Sequence, residues 1–482
     1  MRWRYILSVV GILTAFLGLS MLFALMVGLY YRDTSVEPFS KSVLITIVSG
    51  LLFYLVFKKE KVENLTKREG MAIVTLTWAS AGFFGALPFY IGGEFGPFVN
   101  AFFESVSGFT TTGSSILTNI EGVSNGLLFW RSLIQWLGGM GIIVLSIAIL
   151  PYLGVGGMQL YKAEVPSPVP DKLKPRIRDT AMTLWKVYAI FSIAQMVLLK
   201  LGGMTFYDAT CHTFTTMPTG GFSTKNASIA FYDSVYIDTV VVGFMLVAGI
   251  NFSLHYQMLR GKPLAFWKDP ECRVFITATL VLVIIVTLDL YNTIYNTLTE
   301  AIRYAAFQVL SIITTTGFTT ADYQQWPGMS QLILLLCMFT GASAGSTGGG
   351  IKWLRVILCF KYCYREIFAL LHPHAVSHIK IAGKSVPEDV VRSVMGFLGL
   401  YMGIFAICSV ALASLGVDFV TSFAAVAATL GNIGPGFASV GPVENFAHIP
   451  EPGKWLLILC MLLGRLEIFT VIIFMVPEFW RK

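Results

Sequence analysis

The chain has 482 residues, of which 55% are hydrophobic and only 13% charged, and its mean hydropathy is +0.71. Soluble chains carry about 25% charged residues, so the composition excludes a water-soluble globular protein and places the chain in a lipid bilayer. The net charge of +7 is no nucleic-acid signature, because the basic residues lie between apolar runs, and no nucleic acid is expected as a partner. The seven cysteines lie mostly in or beside apolar segments and form no Cys-x-x-Cys pair, which argues against a disulfide framework or a zinc site.

In chain order, Met1 to Arg4 resembles the charged start of a signal peptide. The apolar run from Tyr5 to Tyr31 is too long for one, however, and reads as a first membrane helix. A crossing helix needs roughly 20 mostly apolar residues. Candidates fall at about 5–31, 40–57, 71–92, 126–150, 181–201, 234–258, 273–295, 329–371 (interrupted), 390–415 and 455–477, which predicts ten spanning helices. Between the members of the last four pairs lie segments too short to cross: 101–112, 208–219, 300–316 and 418–433.

Each short segment ends in a turn of one kind: Thr110 to Gly113, Met217 to Gly220, Thr314 to Gly317 and Gly431 to Gly434. Taking Gly113, Gly220, Gly317 and Gly434 as landmarks, the separations are 107, 97 and 117 residues. The expected fold is therefore all-α and integral to the membrane. It has an N-terminal hairpin (1–70) and four pseudo-repeats of helix, pore half-helix and helix (71–151, 179–260, 272–371, 390–482) around a central pore. A fourfold ring of backbone carbonyls is a known way to coordinate a bare potassium ion. Gly allows the left-handed backbone such a turn needs, and half-helix C-termini point partial negative charge at a cation. Asn100, Asp208 and Asp418, near three half-helix starts, read as N-caps, the alternative being direct ion binding.

Lys and Arg set the orientation. They concentrate in the loops 58–70, 151–180, 259–273 and 352–392 and at Arg481 and Lys482, all on one side of a ten-helix chain. The other side carries mainly Lys225, Arg303 and Lys454. Both termini are thus expected in the cytoplasm, with all four turns entering from outside. No Walker motif, dinucleotide fingerprint, paired intramembrane Asp or His-Glu-x-x-His is present, so an enzyme is not expected. His372, His374 and His378 lack a carboxylate or Cys partner nearby and read as a solvated segment.

Two further features lie in the apolar runs. Gly341 to Gly350 holds five glycines in ten residues and cannot stay helical. Irregular backbone at membrane depth is buried in protein or lines a wet cavity, so this stretch reads as a gate loop, the alternative being a small-residue packing surface. Arg465 sits within the 455–477 run, where a charge is costly. It reads as a pore-lining cation, the alternative being a structural pair with Glu467 or a neighbouring helix. Lys352 either faces the pore or anchors a helix restart.

The turns, together with Gly138 to Gly141, Gly154 to Tyr161, Ala344 to Gly350 and Gly464 to Glu467, carry an end-to-end resemblance to the TrkH/KtrB family of bacterial potassium transporters, on its TrkH branch. The resemblance implies a filter at Thr111, Thr112, Gly113; Thr219, Gly220, Gly221; Thr316, Gly317, Phe318; and Ile433, Gly434, Pro435. It also implies a gate at Gly341, Gly345, Ser346, Thr347, Gly348, Gly349, Gly350, Lys352 and Arg465. It implies potassium uptake across the bacterial inner membrane with no organic cofactor. The implied partners are a second copy of the chain and a cytoplasmic nucleotide-binding subunit of the TrkA type, binding NAD or ATP, with loops 151–180 and 352–392 as docking surfaces. In related plant transporters Ser at the first filter Gly goes with sodium. All four landmarks are Gly here, which favours potassium, while Pro218 and Asn432 predict an imperfectly selective filter. A sodium-permeable or ion-coupled member of the same fold is the alternative.

Overall fold

The structure is a computed structural model and describes residues 1–58, 66–141, 177–375, 377–381 and 383–480. Helices dominate them. In chain order they are α1 (Trp3–Tyr31), α2 (Val36–Phe57), α3 (Lys67–Gly92), α4 (Phe98–Phe109), α5 (Asn125–Trp136), α6 (Ile177–Leu201), α7 (Phe206–Thr216), α8 (Val235–Gly249), α9 (Phe252–Leu259), α10 (Ala265–Lys268), α11 (Pro270–Leu290), α12 (Leu298–Ile313), α13 (Gly328–Cys337), α14 (Trp353–Leu371), α15 (Glu388–Ser414), α16 (Phe419–Leu430), α17 (Glu451–Arg465), α18 (Phe469–Ile472) and α19 (Pro477–Trp480). The described strands form one small antiparallel hairpin, pairing Lys380 with Ser385 and Ile381 with Lys384.

Six of these helices are long and apolar enough to cross a bilayer, or eight crossings if each of two sharply bent pairs counts as one. The departure from ten continuous spans has a physical cause. The run at 234–258 bends by 103° between α8 and α9, and the run at 455–477 bends by 113° after Arg465. The run at 126–150 passes into a π-turn at Leu137–Gly141, and its remainder lies outside the described residues. The run at 329–371 breaks between Cys337 and Trp353. Each break frees backbone carbonyls that need new donors, and tertiary contacts supply them. Gly249 O accepts from Ser343 N (3.0 Å), and Gly138 O and Gly139 O accept from the Arg465 guanidinium (2.7 and 2.8 Å).

The short helices α4, α7, α12 and α16 sit at the centre. Phe103, Phe109, Phe307 and Val426 on them are buried, whereas Leu44, Leu52 and Leu55 on α2 and Leu288 on α11 are exposed. Apolar side chains face outward from the long helices while polar Thr and Ser collect inside, the arrangement expected of a chain solvated by lipid.

Capping differs from the sequence expectation at two of three positions. Asp418 does cap α16, accepting from Thr421 N at 2.9 Å. The cap of α7 is Thr205, with Asp208 reaching back to the Thr205 hydroxyl (2.8 Å) from the first turn. Asn100 lies inside α4 and accepts from Lys454 Nζ at 2.8 Å. Thr297 caps α12 by accepting from Glu300 N.

Candidate functional site: a closed ring of four turns above a glycine loop

The four half-helices end alike. The amides of Thr111, Thr219, Thr315 and Asn432 bond the carbonyl three residues back, at 3.0, 2.9, 2.9 and 3.2 Å. The next amides, of Thr112, Gly220, Thr316 and Ile433, bond the carbonyl five residues back, at 2.9, 2.8, 2.8 and 2.8 Å. This is a Schellman cap built four times. Its left-handed residue is normally Gly, yet here φ is 53° at Thr111, 57° at Thr219, 60° at Thr315 and 54° at Asn432. A β-branched residue at positive φ is an outlier, and such strain persists where surrounding structure enforces it, often at functional sites.

Two residues on from each cap stands a glycine, again at positive φ: Gly113 (83°), Gly221 (75°), Gly317 (79°) and Gly434 (102°). These glycines close a ring in chain order. A Cβ added to Gly113 would lie 2.2 Å from Gly220 O, to Gly221 1.9 Å from Thr316 O, to Gly317 2.0 Å from Ile433 O, and to Gly434 2.8 Å from Thr112 O. No side chain fits at any of the four. All four line one open cavity, whose wall also carries Arg131 and Glu444.

The geometry revises the sequence register. The second turn aligns on Gly221, not Gly220, because Gly220 lacks the positive φ. The equivalent triplets are Thr111 to Gly113, Thr219 to Gly221, Thr315 to Gly317 and Asn432 to Gly434. Phe318 and Pro435 fall one residue beyond. Phe318 is fully buried, and its carbonyl accepts from Ser311 Oγ at 2.6 Å.

Polar residues missed in the sequence brace the ring. Nine residues before each positive-φ glycine stand Glu104, His212, Gln308 and Ala425. Glu104 accepts from Ile116 N (3.0 Å) and Ser115 Oγ (2.9 Å), and pairs with Arg131 at 2.5 Å. Arg131 donates on to Ser223 O (2.9 Å) and stacks over Phe222, so one buried ion pair ties the segments leaving turns one and two. His212 Nε2 lies 3.0 Å from Ser223 Oγ, and Gln308 lies 3.3 Å from the Thr320 hydroxyl. Gln135 donates to Gly220 O at 2.7 Å. The fourth half-helix has only Ala425 there, so the bracing is unequal. Two charges in apolar runs, Glu104 and Arg131, were the sequence signal for the pair.

The Gly341 to Gly350 loop lies directly against the turns. Its neck closes where Gly341 N bonds Ile351 O (2.8 Å). Thr347 Oγ1 donates to Met217 O (3.0 Å) at the second turn, and Gly349 N donates to Thr315 Oγ1 (2.7 Å) at the third. A Cβ on Gly349 would lie 2.6 Å from Gly431 O at the fourth. Arg465 donates to Thr347 O at 2.8 Å as well as to Gly138 O and Gly139 O, so it joins the loop to the break after α5. Glu467 pairs with Arg355 on α14. Lys352 is buried and donates to Gly348 O, turned toward the loop rather than standing as an exposed anchor. Gly154 to Tyr161 and nearly all of the 151–180 loop lie outside the described residues. Asp418, at the exposed start of α16, has its carboxyl held below the usual carboxylate range by the Thr421 hydroxyl and amide.

Residues 33–482 match the model of the TrkH family, described as a cation transport protein. The chain belongs to that family. It is 43% identical over 486 residues, covering both chains completely, to the Trk system potassium uptake protein TrkH of Salmonella typhimurium and equally to that of Escherichia coli K12. It is 36% identical to the Trk system potassium uptake protein TrkG of Escherichia coli K12, with 99% of each chain covered. Among solved structures, the crystal structure of the potassium transporter TrkH from Vibrio parahaemolyticus superposes with a TM-score of 0.90 at 40% identity over the whole of both chains. The TrkH-family fold is thus a membrane transporter architecture.

Proposed function

We propose that this chain takes up potassium across the bacterial inner membrane, and that the ion passes through the ring of four turns. The observation that carries the reading is the closed contact of Gly113, Gly221, Gly317 and Gly434 with the neighbouring turns in chain order, at the convergence of four half-helix C-termini. Such an arrangement replaces a cation's water with backbone oxygens and adds the negative ends of four helix dipoles. The potassium uptake named for the full-length relatives supports the choice of ion.

In this reading the chain divides into the hairpin 1–70 and pore repeats 71–151, 179–260, 272–371 and 390–482, with both termini cytoplasmic. The filter residues are Thr111 to Gly113, Thr219 to Gly221, Thr315 to Gly317 and Asn432 to Gly434. The Gly341 to Gly350 loop, held by Lys352 and Arg465, is the gate: it contacts three of the turns and must move for ions to leave. The transporter works as a homodimer on a nucleotide-binding cytoplasmic subunit of the TrkA type, docked on the basic 151–180 and 352–392 segments. Flux into liposomes tests the function. Rubidium entry under a potassium gradient alone, well above sodium entry, is expected. Equal sodium entry, or accumulation only under a proton or sodium gradient, overturns the potassium-pore reading.

A further inference from the structure

We infer that Glu271 is the positioning residue that fastens the Gly341 to Gly350 loop to the start of α14, holding Ala344 and Leu354 through one carboxylate oxygen. The inference rests on the reading of that loop as the gate. Glu271 Oε1 accepts from Ala344 N at 2.7 Å and from Leu354 N at 2.9 Å. One donor precedes the glycine-rich tip, and the other lies in the first turn of α14, after it. The tip contacts the turns, and Glu271 adds a side-chain tie beside the backbone bond of Gly341 N to Ile351 O that closes the neck.

The surroundings leave Glu271 little other work. Its own helix, α11, is capped by Asp269, which accepts from Cys272 N at 2.7 Å. The α14 start lacks a side-chain cap of its own, because Lys352 at that position has no acceptor; its ammonium donates to Gly348 O. The Leu354 amide is one of the first-turn donors that a helix cannot satisfy internally, and Glu271 satisfies it from across the interface. Glu271 is 7% exposed, and among the described residues no Lys or Arg forms an ion pair with it. A buried carboxylate without a cation is costly. What offsets that cost here is the pair of amides and the positive ends of α11 and α14, with Lys352 near enough to act on the carboxyl as well.

Its location gives the clamp a route to regulation. Glu271 follows directly on α10 and the basic stretch Arg260, Lys262 and Lys268, cytoplasmic in the proposed topology. A partner that shifts this stretch moves the N-terminus of α11 and pulls the carboxylate from the loop and from α14 at once.

The test is basal rubidium flux through the purified full chain in liposomes without any cytoplasmic subunit. Glu271→Ala should raise it about tenfold, the effect of losing one to two hydrogen bonds to a charged acceptor. Glu271→Gln keeps an oxygen that accepts both amides and should restore flux to within about twofold of wild type. Leu354→Pro removes one donor at a first-turn position that tolerates proline and should raise flux in the same direction; it decides the matter where Glu271→Ala does not insert. In a chain lacking 345–349, flux should already be high and Glu271→Ala should add nothing. If that deletion raises flux while Glu271→Ala and Leu354→Pro leave it at the wild-type level, the clamp is wrong and the gate stands. If the deletion itself leaves flux unchanged, the gate fails and the clamp with it.

Discussion

Gly349 donates its amide to the Thr315 hydroxyl at 2.7 Å, and Thr315 is itself the left-handed residue that ends α12. The loop therefore touches the strained cap of a half-helix, so the glycine loop and the third turn share a hydrogen bond. A movement of the loop changes the surroundings of the third turn, and a change in that turn is felt by the loop.

Thr315→Val tests this contact. Valine keeps the β-branched shape and removes the acceptor, leaving the buried Gly349 amide unsatisfied at a cost of about 1–3 kcal/mol. Basal rubidium flux should rise about fivefold or more. Unchanged flux in a correctly inserted protein would mean that the bond does not hold the loop closed.

The revised register of the second turn makes adjacent glycines unequal. In Gly221→Ala the new methyl would lie 1.9 Å from the Thr316 carbonyl at a φ of 75°, with rigid backbone on both sides. Uptake should be abolished. In Gly220→Ala the methyl meets the Gln135 side chain, which can swing away, so uptake should be reduced but measurable. Potassium-limited growth of a strain lacking other uptake systems reads both, and the reverse order would restore the Gly220 alignment.

The Glu104–Arg131 pair is fully enclosed, with side-chain exposures of 0% and 2%. Removing one member strands the other charge, which costs about 3–5 kcal/mol. Glu104→Ala should lower the melting temperature in detergent strongly, and the double variant Glu104→Leu, Arg131→Met should recover part of the loss. Equal melting of single and double variants would show that the two charges do not act as a pair.

Asp418 offers a pH test. Its carboxyl titrates below the usual carboxylate range in the folded chain, so its contribution is full above the unfolded value near 3.9 and is lost as pH falls through the lower folded value. Asp418→Ala should cost about 1 kcal/mol at neutral pH, and the difference from wild type should shrink on acidification below about pH 4. A difference that does not change with pH would remove the carboxylate from the cap.

Much of this site was legible in the sequence because the bilayer limits what short apolar segments can do. Segments of a dozen residues ending in Thr and Gly could only be half-helices with turns, and α4, α7, α12 and α16 are such elements. The register at Gly220 and Gly221 was not legible, since two adjacent glycines differ only in backbone angle. The cap at Thr205 was missed because Asp208, its acidic partner three residues downstream, reads as a cap itself, and the third half-helix, capped by Thr297, had no candidate. The bends after Gly249 and Arg465 contain no proline. At Gly249 the loop takes over a freed carbonyl through Ser343 N, a tertiary effect without a local signature. Glu271 carries no local signature, because its partners Ala344 and Leu354 are distant in the chain.

The most direct measurement is the anomalous signal of rubidium in crystals of the full chain. The account predicts a peak on the axis enclosed by Gly113, Gly221, Gly317 and Gly434, lost in Gly221→Ala. Rubidium bound elsewhere, with that axis empty in the wild-type protein, would contradict it.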